Sequence, residues 1–405
     1  MTGPAYYVGM IDQRTELLRD GFVIVPGVIA PSALEDTRQV FEGLVDKQRR
    51  VWSKERGTDD PPGGVWETSA QPRLGTFDGL VESREQARAV EVLLGRPQIT
   101  SSKIMNAPVA PTQFMMMCNP VRDHGPAAWH RDIHPIDQAP VIGLQQDLLA
   151  NGPGYLQWNL ALHDDDVLWV VPGSHARPNT DEENRCLAED PRRPIPGALQ
   201  VELGAGDGVV YTNLILHWGS SYSPTRRRTV HFGFRSFGAD LLPYVLGLHR
   251  RGDASIFLTD EPRAAWQQHR RLYQAECDLL ESAFRAVIQC EVDSFLQTLS
   301  QLHPGEQQRE VCLILLSKLA HKLCFDTHPE RSGYGGDFTQ YQELAPRFTP
   351  EDLQQLWQRF APVDAALRAP GGSDYVPGYQ SGPMGYRFES MPEDLTVAGF
   401  VRNWV

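Results

Sequence analysis

Ala127-Ala128-Trp129-His130-Arg131-Asp132-Ile133-His134-Pro135 is the stretch whose reading decides the fold. His130 and Asp132 stand two residues apart, so on an extended segment both side chains leave the same face. An imidazole and a carboxylate in that relation take two adjacent corners of a metal's coordination shell. A second histidine from elsewhere would complete the two-histidine, one-carboxylate facial triad of non-haem Fe(II) sites, which leaves three positions open. His-x-Asp also arises by chance in a chain with 12 histidines, so the third ligand and the scaffold have to be found in the rest of the sequence.

The candidate third ligand is His217, in Tyr211-Thr212-Asn213-Leu214-Ile215-Leu216-His217-Trp218-Gly219-Ser220. It ends a strand-like run, from which it can project from a barrel mouth toward His130 and Asp132. Eleven residues further on lies Arg228, in Thr225-Arg226-Arg227-Arg228-Thr229-Val230. A guanidinium there can hold the far carboxylate of a 2-oxo acid in a bidentate fork, with Arg226 and Arg227 as weaker alternatives. The basic triplet runs straight into Val230-His231-Phe232-Gly233-Phe234, so at least one arginine points inward.

The scaffold is read from hydrophobic periodicity. Helices are expected over 11–20, from Pro31-Ser32 to about 48, and over 84–94, with a strand at 22–29 between the first two. Residues 53–76 are polar, Gly/Pro-rich and read as a surface excursion. Strands are expected over 100–119, 155–162, 167–171, 200–203, 209–211 and 229–235, divided by Gly/Pro turns and a polar stretch at 176–197. Within the first of these, Met115, Met116 and Met117 are either core or a soft pocket wall. So many short strands argue for a β-sandwich or jelly roll. After Gly238 the period becomes helical, with one or two long helices over 264–299 and another over 305–323. The tail after 330 is rich in glycine, proline and aromatic residues.

The balance of 38 basic and 51 acidic residues gives a formal charge of -13. That argues against nucleic acid or an anionic membrane as the main partner. The start of the chain lacks the basic and apolar regions of a signal peptide, and no apolar run is long enough to span a bilayer. The six cysteines show neither CxxC spacing nor disulfide density. A cytoplasmic protein with free thiols is expected.

Taken together, these motifs resemble the phytanoyl-CoA dioxygenase family of Fe(II)/2-oxoglutarate-dependent oxygenases. His130, Asp132, His217 and Arg228 match its HxD…H triad and distal arginine in order and spacing. Asp20-Gly21-Phe22-Val23-Ile24-Val25-Pro26-Gly27-Val28 looks like the family's N-terminal stretch. Leu168-Trp169-Val170-Val171-Pro172-Gly173-Ser174-His175 looks like its strand and turn, and Gly206-Asp207-Gly208 like the GD before the distal histidine. The resemblance covers roughly residues 12–236. Two departures stand out: Arg131 where the family often has Gln, and Trp218 and Tyr222 in a segment that often reads HGS…N. Halogenating relatives replace the carboxylate ligand with a small residue, whereas Asp132 is present.

The resemblance implies a mainly β fold with supporting helices, a double-stranded β-helix (jelly roll, cupin-like), here followed by a long helical C-terminal addition. The expected division is a catalytic core with N-terminal helices over 1–238, a helical addition over 239–330, and a tail over 331–405. The tail packs on the core or on an interface, and a homodimer through the addition is one role open to it. The implied cofactors are Fe(II), 2-oxoglutarate and O2. His130, Asp132 and His217 hold the metal, and Arg228 pairs with the cosubstrate's far carboxylate. Asn159, Gln113 and Thr212 are candidate polar contacts in the cosubstrate pocket, each also compatible with ordinary strand hydrogen bonding. His134, Trp129, Trp218 and Met117 are candidate substrate contacts, Trp129 being also suited to packing behind its histidine. The implied reaction is hydroxylation of an unactivated C–H bond in a specialised, biosynthetic small molecule. Desaturation, epoxidation, cyclisation or demethylation on the same cofactors stays open, as does a non-catalytic cupin-like binding protein.

Overall fold

The computed structural model describes residues 12–56, 83–118, 127–133, 138–219, 225–237, 254–325, 339–369, 376–378 and 385–404. The chain opens with α1 (Gln13–Asp20), β1 (Phe22–Val25), α2 (Pro31–Arg56), α3 (Arg84–Leu94) and α4 (Arg96–Met105). Then follow β2 (Val109–Cys118), α5 (Val141–Asn151), β3 (Tyr155–Ala161), β4 (Leu168–Val170), α6 (Asp181–Glu189), β5 (Leu199–Gln200), β6 (Gly208–Tyr211), β7 (His217–Gly219) and β8 (Arg228–Ser236). The remainder is helical: α7 (Asp260–Gln289), α8 (Val292–Leu302), α9 (Arg309–Phe325), α10 (Thr339–Leu344), α11 (Pro350–Leu367) and α12 (Val397–Arg402).

The strands form two antiparallel sheets, one of five strands in the order β1-β6-β3-β8-β2 and one of three in the order β5-β4-β7. This is a cupin-like double-stranded β-helix core with flanking helices. The expectation of a mainly β protein is overturned: 55% of the structure is helical and 15% is strand. The strands are short, from two to ten residues, whereas α7 alone has 30 residues. One expected strand also begins as helix. Residues 100–105 continue α4, which begins beside Pro97 in its first turn, where a missing N–H costs nothing, and β2 starts only at Val109.

Alternation along the large sheet separates two environments. Leu156, Trp158 and Leu160 of β3 and Val230, Phe232 and Phe234 of β8 face outward, onto Phe41, Leu44, Val90 and Leu93 of α2 and α3. The opposite face carries Gln157, Asn159, Thr229 and His231, and turns toward the small sheet. Between the sheets lies an apolar seam of Ala161, Leu168, Val170, Val209, Tyr211 and Ile215. The turn at Gly206-Asp207 ties this seam to the N-terminus. Asp207 accepts the Gly27 N–H at 2.6 Å, and Gly206 has φ of 94° with the Ile29 carbonyl where a Cβ would sit, so only glycine fits there.

The helices after 254 build a second hydrophobic core around Phe284, Phe295, Leu313, Leu316 and Phe360. The described part of the tail belongs to it, because Tyr386, Phe388, Phe400 and Trp404 are all buried in this cluster. So do Ile133, just past the metal-ligand motif, and Val141 and Leu144 of α5. The first N–H groups of α5, which have no partner within the helix, donate to the carbonyls of Phe388 and Glu389 at 2.8 and 3.1 Å. The tail therefore caps the helix that follows the motif.

Candidate metal centre

His130 lies outside the named strands but forms an isolated antiparallel bridge with His217, the first residue of β7. The two residues exchange both backbone hydrogen bonds, at 2.9 and 3.0 Å. In such a pair the side chains leave the same face of the ladder, and the two imidazole rings lie 4.4 Å apart. Asp132 is held next in line by its N–H to the Asn213 carbonyl at 3.0 Å.

Each histidine is turned by its own backbone. Nδ1 of His130 donates to Ala128 O at 2.7 Å and Nδ1 of His217 to Ile215 O at 3.0 Å. That fixes the orientation of each ring and leaves both Nε2 atoms facing Asp132. Oδ1 of Asp132 is 3.5 Å from His130 Nε2, and Oδ2 is 3.4 Å from His217 Nε2. Ligands bound at about 2.1 Å and roughly at right angles stand about 3 Å apart, so a modest contraction closes this set on one ion. All three ligand atoms lie within 4.8 Å of one another. The Gln157 amide donates to Asp132 Oδ2 at 2.7 Å and orients the carboxylate. Burial alone raises the Asp132 pKa, but the His217 charge and hydrogen bond, His130 and Gln157 outweigh it and hold the carboxyl well below its ordinary value. The donor set offered to an ion is two imidazole nitrogens and an ionised carboxylate, which suits a divalent iron.

The other expected site residues fall into three groups. Asn159 is close to the triad on the metal side of the sheet, and its Oδ1 accepts from His231 Nδ1 at 2.8 Å. Tyr211 stands between them, its ring 5.3 Å from that of His217 and 6.5 Å from that of His231. Met117 is half-buried and pairs with Thr229, which places it on this same face. Thr212 is completely enclosed, and its backbone N–H joins Gly21 O.

Trp129 and Trp218 form the second group. Each is next to a metal-ligating histidine, so alternation sends both indoles to the opposite face, where their rings stack 5.3 Å apart. There they pack with Val171, Leu187 and Leu216 as a buried support behind the ligands. His134 and the side chain of Gln113 lie outside the described residues.

Arg228 is the third case. It shares the helix-facing side of β8 with Val230 and Phe232, and its guanidinium is engaged by Glu42 of α2 at 2.5 and 3.3 Å. The arginine on the metal-side face is Arg227, 4% exposed, whose Nε donates to Asp165 Oδ2 at 2.9 Å. The Thr229 hydroxyl meets the same carboxylate. Burial works against ionised Asp165, but Arg227, Thr229 and the Val167 N–H more than offset it and lower its pKa. Period-two reading from Val230, Phe232 and Phe234 was the available signal for this one-residue difference, because those residues mark the apolar face that Arg228 shares. Sequence reading also missed Gln157 and Tyr211, which are ordinary strand residues until the fold brings them to Asp132 and His217.

The profile of the phytanoyl-CoA dioxygenase (PhyH) family matches residues 17–229, more than half of the chain. No curated protein matches it. Similar solved structures include SnoK, a non-haem α-ketoglutarate-dependent carbocyclase from nogalamycin biosynthesis, at 16% identity and a TM-score of 0.42 over 64% of this chain and 95% of that one. AviO1 from Streptomyces viridochromogenes Tue57 is 21% identical, with a TM-score of 0.39 over 57% and 99% of the two chains. HygX from Streptomyces hygroscopicus, solved with nickel, 2-oxoglutarate and hygromycin B, is 16% identical with a TM-score of 0.39 over 55% and 86%.

Proposed function

This chain belongs to the phytanoyl-CoA dioxygenase family, and is an Fe(II)- and 2-oxoglutarate-dependent oxygenase acting on a small molecule; from that premise we propose that it oxidises an unactivated C–H bond of a specialised biosynthetic substrate. The observation that carries this reading is the convergence of His130, Asp132 and His217. Asp132 fills the position that would otherwise be free for a halide, which favours oxidation over halogenation. Hydroxylation, desaturation, cyclisation and demethylation begin with hydrogen removal, whereas epoxidation adds oxygen across a C=C bond, and the substrate bond presented to the metal selects among them.

When bound, the iron would activate O2 as the oxidant, with 2-oxoglutarate as the reductant that ends as succinate and CO2. The protein's own contribution is placement. His130 and His217 keep their Nε2 atoms on one side, Gln157 fixes the Asp132 carboxylate, and Tyr211 limits the tilt of the His217 ring. We assign to Arg227 the role that family resemblance implies for Arg228, that of partner to the cosubstrate's far carboxylate. Its support is that, one residue before β8, it meets the same Asp165 carboxylate as Thr229, which with His231 lies on the face of the sheet opposite Arg228. Both arginines have a carboxylate partner, Arg227 in Asp165 and Arg228 in Glu42, and it is the face that separates them, Arg228 lying on the helix side of the sheet.

The test is succinate formation from 2-oxoglutarate with Fe(II) and O2, run in parallel with Asp132→Ala. Turnover by the parent and none by the variant supports the enzyme; equal background in both refutes it. Mass analysis of candidate substrates then separates gain of one oxygen atom from loss of two hydrogens.

A further inference from the structure

Between the two ligands His130 and Asp132 stands Arg131, whose side chain is completely buried. Alternation directs it away from the metal, into the protein behind the site. There Nε donates to Leu214 O at 2.9 Å and Nη2 to Ser174 O at 3.1 Å. Nη1 meets Asn179 Oδ1. Leu214 lies three residues before the distal ligand. Ser174 is tied to the same segment, because its hydroxyl accepts the Leu216 N–H at 2.8 Å. One guanidinium therefore binds the segment that carries His217 and the turn that supports it, while its own backbone carries His130 and Asp132.

The same residue holds the C-terminal tail. The Arg131 N–H donates to Gly378 O at 2.8 Å, and the Asn179 amide donates to Pro377 O at 2.9 Å and to Asn184 Oδ1 at 3.0 Å. Gly378 sits at φ of 87°, and a Cβ on it would lie 3.0 Å from Leu187 and 3.3 Å from Leu216. A glycine is required there both by the backbone conformation and by the close approach to Leu216, the residue before the distal ligand.

We propose that Arg131 is a positioning residue of the metal centre, a strut joining the HxD segment, the His217 segment and tail residues 376–378, so that the C-terminal tail helps set metal affinity. The inference rests on the reading of His130, Asp132 and His217 as the metal ligands. A planar guanidinium with donors on several edges can serve three oxygen acceptors in fixed directions. Lysine offers one ammonium centre and glutamine one amide, and neither spans the same three acceptors. Without the strut, the two ligand segments keep their bridge but lose its support from behind. Removing residues that orient metal ligands lowers metal affinity by about 10- to 100-fold.

The test uses Co(II) as the probe, with the dissociation constant from calorimetry and the ligand-field absorption of the bound ion as two readouts besides turnover. Thermal melting of each metal-free variant is measured alongside. Arg131→Gln is expected to weaken Co(II) binding by about 10- to 100-fold and to change the ligand-field bands, with Arg131→Lys recovering part of the loss. Asn179→Ala and Gly378→Ala, which leave the HxD segment untouched, are expected to shift both readouts in the same direction. A lower melting temperature with parental affinity and spectrum in Arg131→Gln would overturn the proposal. If Arg131→Gln does not fold, parental affinity and spectrum in both Asn179→Ala and Gly378→Ala overturn it. His217→Ala is the control for the underlying reading: if the parent binds Co(II) no better than this variant, the triad itself is refuted and not the strut.

Discussion

His130 and His217 exchange both of their backbone hydrogen bonds, so two metal ligands separated by 87 positions in sequence are a single rung of one antiparallel ladder. Their spacing is set by the main chain and does not depend on the ion. His130→Ala and His217→Ala are therefore expected to fold with little loss of metal-free stability, within about 1 kcal/mol. The parent should gain about 2.7 kcal/mol in the presence of a divalent ion at 100 times its dissociation constant. Neither variant should show this gain. Melting with and without Co(II) reads the difference directly.

Arg227 and Arg228, adjacent at the start of β8, are expected to differ in their effect on cosubstrate binding. Arg227→Gln should raise the KM for 2-oxoglutarate by about tenfold or more, since a charge-assisted fork is worth about 1.5–3 kcal/mol. Both variants should lose stability, Arg228→Gln by about 1–3 kcal/mol through Glu42 left without its partner and Arg227→Gln by at least as much through the more buried Asp165. Arg228→Gln should keep a 2-oxoglutarate KM close to that of the parent. Kinetics paired with urea titration checks both, and the reverse pattern would return the cosubstrate role to Arg228.

His303 joins the C-terminal helices to α5 through Asp147. Its Nε2 lies 2.9 Å from Asp147 Oδ1 and its Nδ1 3.2 Å from Gly305 O, so both ring nitrogens face acceptors. Burial disfavours the imidazolium, but the hydrogen bond and charge of Asp147, with the Gly305 carbonyl, raise its pKa above the ordinary value. A histidine whose pKa is higher in the folded state contributes stability that is fully present below its unfolded pKa, about 6.5. That contribution fades as pH rises through the raised folded value. Asp147→Asn is expected to cost about 1.5–3 kcal/mol at pH 5.5 and less with each step toward pH 9. Denaturant titrations at several pH values give the slope.

Arg235 of β8 and Glu276 of α7 form an ion pair at the junction of the sheet with the C-terminal helices, with Arg235 fully buried and Glu276 nearly so. Gln340 of α10 adds a hydrogen bond to the carboxylate at 3.1 Å. Arg235→Met alone leaves a buried carboxylate uncompensated and should cost about 3–5 kcal/mol. The double variant Arg235→Met, Glu276→Met should be more stable than that single variant, because the cost lies in the stranded charge and not in the lost attraction. A double-mutant cycle measured by chemical denaturation is the check.

The local features were legible in sequence because they depend on neighbours in the chain. Glycine stops α1 at Gly21, α3 runs over the span expected for it, and the switch from period two to helical period after the last strand is real. The HxD pair was legible for the same reason, since two residues two apart share a face on any extended segment. The proportion of helix was misjudged because the strands that define the core are short. They are outnumbered by helices that pack outside it and, in the described tail, by α11 and α12, which the glycine- and proline-rich composition concealed.

What the sequence determined by itself is the donor chemistry: two histidines, an aspartate and a run of arginines, in an order and spacing that belong to one family. Which arginine shares a carboxylate with Thr229, which tryptophans pack behind the two histidines, and that Gln157, Tyr211 and the carbonyl of Gly378 belong to their surroundings were decided only by the tertiary structure. The physical reason is that strand register turns a one-residue offset into a change of face. Register is settled by burial of Val230, Phe232 and Phe234 against helices encoded far away, and not by the residues of the site.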